Sequence, residues 1–201
     1  MKADIGPGHD SRSSSPAAAR AGAPVTAGGP PASATPRVAS SMSFQTVDVP
    51  GAAGGTVVNG VNDHGVLAGT CFDQNNHAFG YIKDGSQPVR FDYPGTSGVT
   101  SVASLNNPGT VIGSYTDPNG ASQGWIRSAS GSFSPINHPL AGSGNSQGTA
   151  PLGINDSGIV VGFYADANGT WHGFVDKNGT FTTVDVPQAG TGPGQGTYLS
   201  V

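Results

Sequence analysis

An all-β fold built from repeated four-stranded antiparallel units is what this sequence predicts, and three observations predict it. Gly supplies 33 and Pro 16 of the 201 residues, and charged residues make up only 10%. There is no Glu, so all 12 acids are Asp. Helices are filled by Glu, Lys and Leu and broken by Gly and Pro, so this composition points away from them. The third observation is a recurrence: prolines 50, 94, 139 and 187 close similar short strands at spacings of 44, 45 and 48 residues. A period of that size is one four-stranded propeller blade.

The chain divides in two. Residues 1–40 are Ala, Gly, Pro and Ser with few large apolar side chains, and such a segment cannot offset its ordering entropy by burial. It is expected to be a disordered tail of net charge +2, while residues 41–201 form the β-repeat domain and carry −6. Lys2 is the only early base and no apolar stretch of about 7–15 residues follows it, so no signal peptide is visible. A net charge of −4 gives no footprint for nucleic acid, and no run of about 18 apolar residues predicts a membrane span.

Within the repeat domain each unit opens on a strand ending in Pro: Phe44–Pro50, Val89–Pro94, Phe133–Pro139 and Phe181–Pro187. An Asn-led turn closed by Gly follows, at Asn62–Gly65, Asn106–Gly109 and Asn155–Gly158, each leading into an apolar run and a second Gly. Asn, Asp and Gly tolerate positive φ, so these read as tight hairpin turns. A second hairpin turns at Asp73–Asn76, Asp117–Gly120 and Asp166–Gly169, and a third at Asp84-Gly85, Ser130-Gly131 and Asn178-Gly179. The units are placed at 43–87, 88–131 and 132–179, with a partial unit at 180–201. One unit cannot bury both of its faces, so units must stack. Three units and a part make a partial β-propeller, whose ring would close through self-association or further chain. A β-trefoil is the alternative fold, and there the strand at Phe181–Pro187 is surplus.

The chemistry-bearing residues mostly follow the repeat. Asp-x-Asn loops at 73, 117 and 166 resemble calcium loops, yet cation loops need more acids and a bidentate Glu, so turn chemistry explains them and no metal site is assigned. No cofactor motif is present. Cys71 is a lone thiol that reads as a small core hydrophobe. Gly144–Gly148 fits the nucleophile-elbow pattern but lies between strands, without the helix that motif needs. His77 and His172 are aligned at one repeat position, as are Phe79, Trp125 and Phe174, which begin apolar strands. Cys71, Tyr115 and Tyr164 share another. Trp125, Trp171, Tyr115, Tyr164, His77 and His172 are the candidate ligand-binding residues, because aromatic rings form platforms for sugars or peptides. No catalytic residue is assigned.

The units resemble the HAF repeat family of probable extracellular bacterial proteins. The match is carried by His77-Ala78-Phe79 and His172-Gly173-Phe174, by Gly60–Asp63 and Gly153–Asp156, and by Thr46–Pro50 and Thr183–Pro187. The resemblance implies a propeller-like fold, a location outside the cell or on its surface, and no known catalytic residues. The function expected is a non-catalytic module that binds a protein or glycan through its loops. The alternatives are a carbohydrate-active or other hydrolytic enzyme, and a fragment of a longer repeat protein without a function of its own.

Overall fold

The computed structural model describes residues 43–85 and 87–199. The expected tail at 1–40 lies outside them. The described residues form twelve β-strands and no helix, so the all-β expectation holds, and no helix is long and apolar enough to cross a membrane.

The strands group into three antiparallel meanders. The first is β1 (Gly55–Val61), β2 (Leu67–Phe72), β3 (Ala78–Lys83) and β4 (Val89–Phe91), paired in that order. The second is β5 (Thr100–Leu105), β6 (Val111–Thr116), β7 (Ser122–Arg127) and β8 (Phe133–Pro135). The third is β9 (Gly148–Ile154), β10 (Val160–Ala165), β11 (Trp171–Lys177) and β12 (Thr180–Val184). Every antiparallel ladder lies within one unit. The units touch through single parallel bridges at equivalent points: Ala78 with Val99, Ser122 with Gly148, and Trp171 with Gly196. The second of these joins two units into an eight-stranded sheet. The described pairings close no barrel. The strands read as openers from sequence are, in space, the last strands of the preceding units, because a repeat read along a chain has a period but no phase.

Turn chemistry sets the strand lengths. In the β11–β12 hairpin both loop residues are left-handed, Asn178 at φ 54° and Gly179 at 81°, the conformation whose twist matches paired strands. Each first strand carries a one-residue bulge at the same place, just after Val58, Val102 and Pro151. Opposite it sit Gly69, Gly113 and Gly162. A side chain at any of these would run into a backbone carbonyl of the first strand and into the ring of Tyr81, Trp125 or Phe174, which lies across it on the neighbouring strand. The second Gly of each motif is therefore a seat for an aromatic ring.

Those rings anchor the core. Trp125 is fully buried at the first junction with Ala68, Val102, Leu105 and Val111, against Phe91 and Phe133. Phe174 does the same at the second with Ile112, Ile136, Val160 and Tyr164. Tyr81 and Cys71 are covered by Val49 of the segment that precedes β1. β5 packs on β1, β2 and β3, and β9 packs on β5, β6 and β7.

The Asn-led turns stack alongside this core. Asn62 Nδ2 donates to the Asn106 carbonyl at 3.3 Å, and Asn106 Nδ2 donates to the Asn155 carbonyl at 3.0 Å. Asn107 Nδ2 donates to Asp63 at 2.7 Å and to Asp156 at 2.9 Å, tying three turns into a ladder. At the other side the units are joined by a recurring bond to a threonine hydroxyl: Tyr93 N to Thr100, His138 N to Thr149 and Val186 N to Thr197.

Candidate functional site

The Asp-led turns close on themselves. Asp73 Oδ1 accepts the amides of Asn75 and His77, Asp117 those of Asn119 and Ala121, and Asp166 those of Asn168 and Thr170, at 2.8–3.0 Å. Those amide bonds hold Asp73 and Asp117 below the ordinary carboxylate range. At Asp166 burial pushes upward, and the Thr170 and Asn168 amides outweigh it. One oxygen of each turn acid is thus spent on backbone amides and the other meets a side chain, and among the described residues no cluster of three His, Cys or Asp side chains could hold a metal.

The pairing register decides which residues are equivalent. Gly69 faces Tyr81, Gly113 faces Trp125 and Gly162 faces Phe174. Tyr81, rather than Phe79, therefore matches Trp125 and Phe174. Phe79, Gln123 and His172 then share a position, facing Cys71, Tyr115 and Tyr164. His77 sits two residues earlier in the repeat, so the two histidines are not equivalent.

At that shared position Gln123 and His172 do the same thing. Gln123 donates to Asp117 at 3.0 Å and accepts from Asn137 at 2.8 Å. His172 contacts Asp166 at 3.7 Å through Nε2 and Asp185 at 2.9 Å through Nδ1. Each spans the turn acid and the residue after the unit's last strand. The third unit adds a stack in which Tyr164 lies between His138, with centroids 3.8 Å apart, and His172, at 4.9 Å. Thr183 approaches both Tyr164 Oη and His138 Nε2. Burial, then the charge of His172, pushes His138 below the ordinary imidazole range.

The predicted ligand-binding residues scatter. Trp125 is fully buried and offers no surface, and Tyr164 is 2% exposed inside the stack. Tyr115 stacks on Tyr93 at 4.7 Å. His77 is exposed and paired to Asp73 at 3.1 Å. Trp171 and His172 come together. Both line a cavity of about 220 Å³ with Asp185, Val186, Gly190 and Thr197. Trp171 is half-buried, and Phe163 and the exposed Tyr198 lie against it at 5.8 and 5.5 Å. The Gly144–Gly148 segment is a turn: Gln147 accepts from the Gly144 amide, and Gln195 repeats this with Gly192 in the next copy. Cys71 is buried, and burial raises its thiol above the ordinary value, leaving it a core residue without activation.

Larger cavities lie between units. One of about 580 Å³ between the first and second is lined by Asn62, His64, Asp84, Asn107 and Arg127. Its Arg127 guanidinium lies over Phe91 at 5.1 Å. The ion pairs formed among the described residues all involve histidine, so Arg127 has none. The other, of about 440 Å³ between the second and third units, is lined by Ile126, Pro135, Ile136, Asn137, Val160, Asp176, Asn178 and Phe181. Asp176 occupies the strand position that Lys83 and Arg127 hold in the earlier units. It is 6% exposed, and its Oδ1 has no hydrogen-bond partner among the described residues. Sequence reasoning gave Asp176 no role, since its place after the Gly144–Gly148 pattern is no more than chance would supply.

Burial raises the Asp176 pKa, with the Gly179 amide opposing. The native state therefore binds this proton more tightly than the unfolded chain does, and the group's contribution to stability falls as pH rises from the ordinary carboxylate value through the raised one. Asp176→Asn is expected to stabilise the fold at pH 7 by about 1–2 kcal/mol, with the advantage fading below about pH 4. Thermal unfolding of both proteins at the two pH values measures this, and an equal difference at both would contradict it.

Comparison with protein-family models, with curated proteins and with solved structures found no match for this chain.

Proposed function

We propose that the chain is a non-catalytic binding module made of consecutive propeller-like blades, and that it takes a protein or glycan ligand at the loops around Trp171, His172 and Asp185. The observation that carries this is the equivalence of His172 and Gln123. An Asp–His–Asp set invites an acid–base reading, yet its counterpart Asp117–Gln123–Asn137 spans the same places and cannot transfer a proton. The arrangement is thus architecture shared by two units. What the third unit adds is a half-buried indole with flanking rings at the lip of a small cavity, a surface suited to a sugar face or an aromatic side chain.

The blade reading is supported by the order of the first strands, in which β5 packs on β1 and β9 on β5, and by the equivalent parallel bridges at the junctions. Placement outside the cell and kinship with HAF repeats rest on the Asn-led turns and the Thr-Val-Asp-Val-Pro strands. The His77 and His172 tripeptides fall at different positions in space and lend less.

A glycan array and a peptide library, each probed with the wild type and with Trp171→Ala, test the proposal. Ligands held by the wild type are expected to lose at least tenfold in affinity in the variant, about 1.4 kcal/mol or more. Undiminished binding would remove the site from Trp171.

A further inference from the structure

We propose that the cavity between the second and third units binds an alkylammonium group, with Asp176 as its counter-ion. This site is separate from the one at Trp171 and stands or falls without it.

The argument starts from what the repeat does at this position. The first two units place Lys83 and Arg127 there, long side chains whose charged ends can reach water along an apolar stem. Asp has no such reach. Asp176 is held 6% exposed, and among the described residues its Oδ1 has no partner and no other titratable side chain lines the cavity. A buried acceptor without a partner is costly, and native proteins leave few of them. Asp176 also lines a cavity. Its volume of about 440 Å³ lies within the range of small-ligand sites.

The walls say which group fits. Ile126, Pro135, Ile136, Val160 and Phe181 supply the apolar part of the wall, Asn137 and Asn178 neutral polar groups, and Asp176 the charge. A guest matched to that pattern has a methylene stem and one strongly donating cationic end. An ammonium supplies three N–H donors to a carboxylate and forms the shorter, stronger class of hydrogen bond. Residues 41–201 carry −6, so the surrounding field draws cations toward the site. The neighbouring cavity has Arg127 at the equivalent place and Asp84 on its wall, so it offers the same guest no net negative charge.

The shared chemistry fits a lysine side chain of a partner protein and a free amine alike. Titration of the ¹⁵N-labelled chain with hexylammonium chloride, followed by amide shifts, is the test. Saturable shifts centred on Ile126, Asp176, Asn178 and Phe181 are expected. Hexanol, which has the same stem without the charge, is expected to bind at least tenfold more weakly to the wild type. Asp176→Asn is expected to lose hexylammonium binding by at least tenfold while keeping its dispersed spectrum. Equal binding of hexanol, unchanged binding in Asp176→Asn, or unsaturable shifts scattered over the acidic surface would overturn the proposal. The hexanol comparison uses only the wild type and decides the matter if the variant fails to fold. A parallel titration with Nα-acetyl-lysine methylamide separates the sources: tighter binding than hexylammonium points to a lysine in a protein, weaker binding to a free amine.

Discussion

Trp125→Ala is expected to cost about 3–5 kcal/mol, the largest loss of any single substitution in the chain. The indole is wholly buried between the first two units, with Phe91 at 5.9 Å and Phe133 at 5.6 Å in edge-on contact. Its removal leaves a hole lined by Ala68, Val102, Leu105 and Val111, which belong to two different units and cannot close in without shifting the junction. A domain of this size has roughly 5–15 kcal/mol in total, so the variant stands near the edge of folding. Trp125→Phe separates ring from nitrogen. The indole Nε1 is buried without a partner, so Phe loses some volume but also sheds an unpaired donor. It is expected to retain most of the stability, as Phe174 does at the same position one unit on. Urea unfolding of the three proteins measures this. A Phe variant as damaged as the Ala variant would mean that the indole edge, rather than an aromatic ring, holds the junction.

Gly113→Ala is the second large effect, at about 3 kcal/mol, at the upper end for an overpacked core. The added methyl would meet the Ser101 carbonyl on one side and the Trp125 ring on the other. Backbone cannot step aside in a paired strand as a flexible side chain could. Gly65→Ala is the control. Its φ of 77° makes a methyl strained, but nothing lies within 4 Å of it, so only the conformational cost of about 1–2 kcal/mol applies. If the two substitutions cost the same, close packing under the ring is not what selects Gly113. In the double variant with Trp125→Ala the penalties should fall short of their sum, because one of the two collisions has gone while the Ser101 carbonyl remains.

These two residues also show what a sequence can and cannot reveal. The turns at Asn62, Asn106 and Asn155 were legible, because Asn and Gly at fixed offsets are a local signal with a local cause. Trp125 begins an apolar strand at a position where aromatics recur, a pattern that marks a packed face and made it a poor ligand candidate. The aromatic register was not legible. Phe79 and Tyr81 are two apart and share a face of β3, and only the pairing of Gly69 with Tyr81 shows which one occupies the seat that Trp125 fills. Aligning on the nearest aromatic shifted His77 onto His172 and made two unlike histidines seem a pair. Asp176 was invisible for another reason. It shares a cavity with Ile126 and Ile136, forty to fifty residues earlier, and no pattern around position 176 records them.

The turn ladder and the single bridges have a consequence for how such a chain folds and diversifies. Each antiparallel ladder joins strands adjacent in sequence, so loops closed early are short and the entropic cost of closing them is small. Any unit can serve as the seed, with its neighbours condensing onto it in turn. Because every junction uses the same few bonds, from Asn side chain to the next turn and from backbone amide to the next threonine, copying or excising one whole period of about 45 residues recreates a valid junction at the splice. Length is then free to drift by gene duplication while the joints stay constant, and individual copies are free to acquire a private residue, as the third has with Asp176.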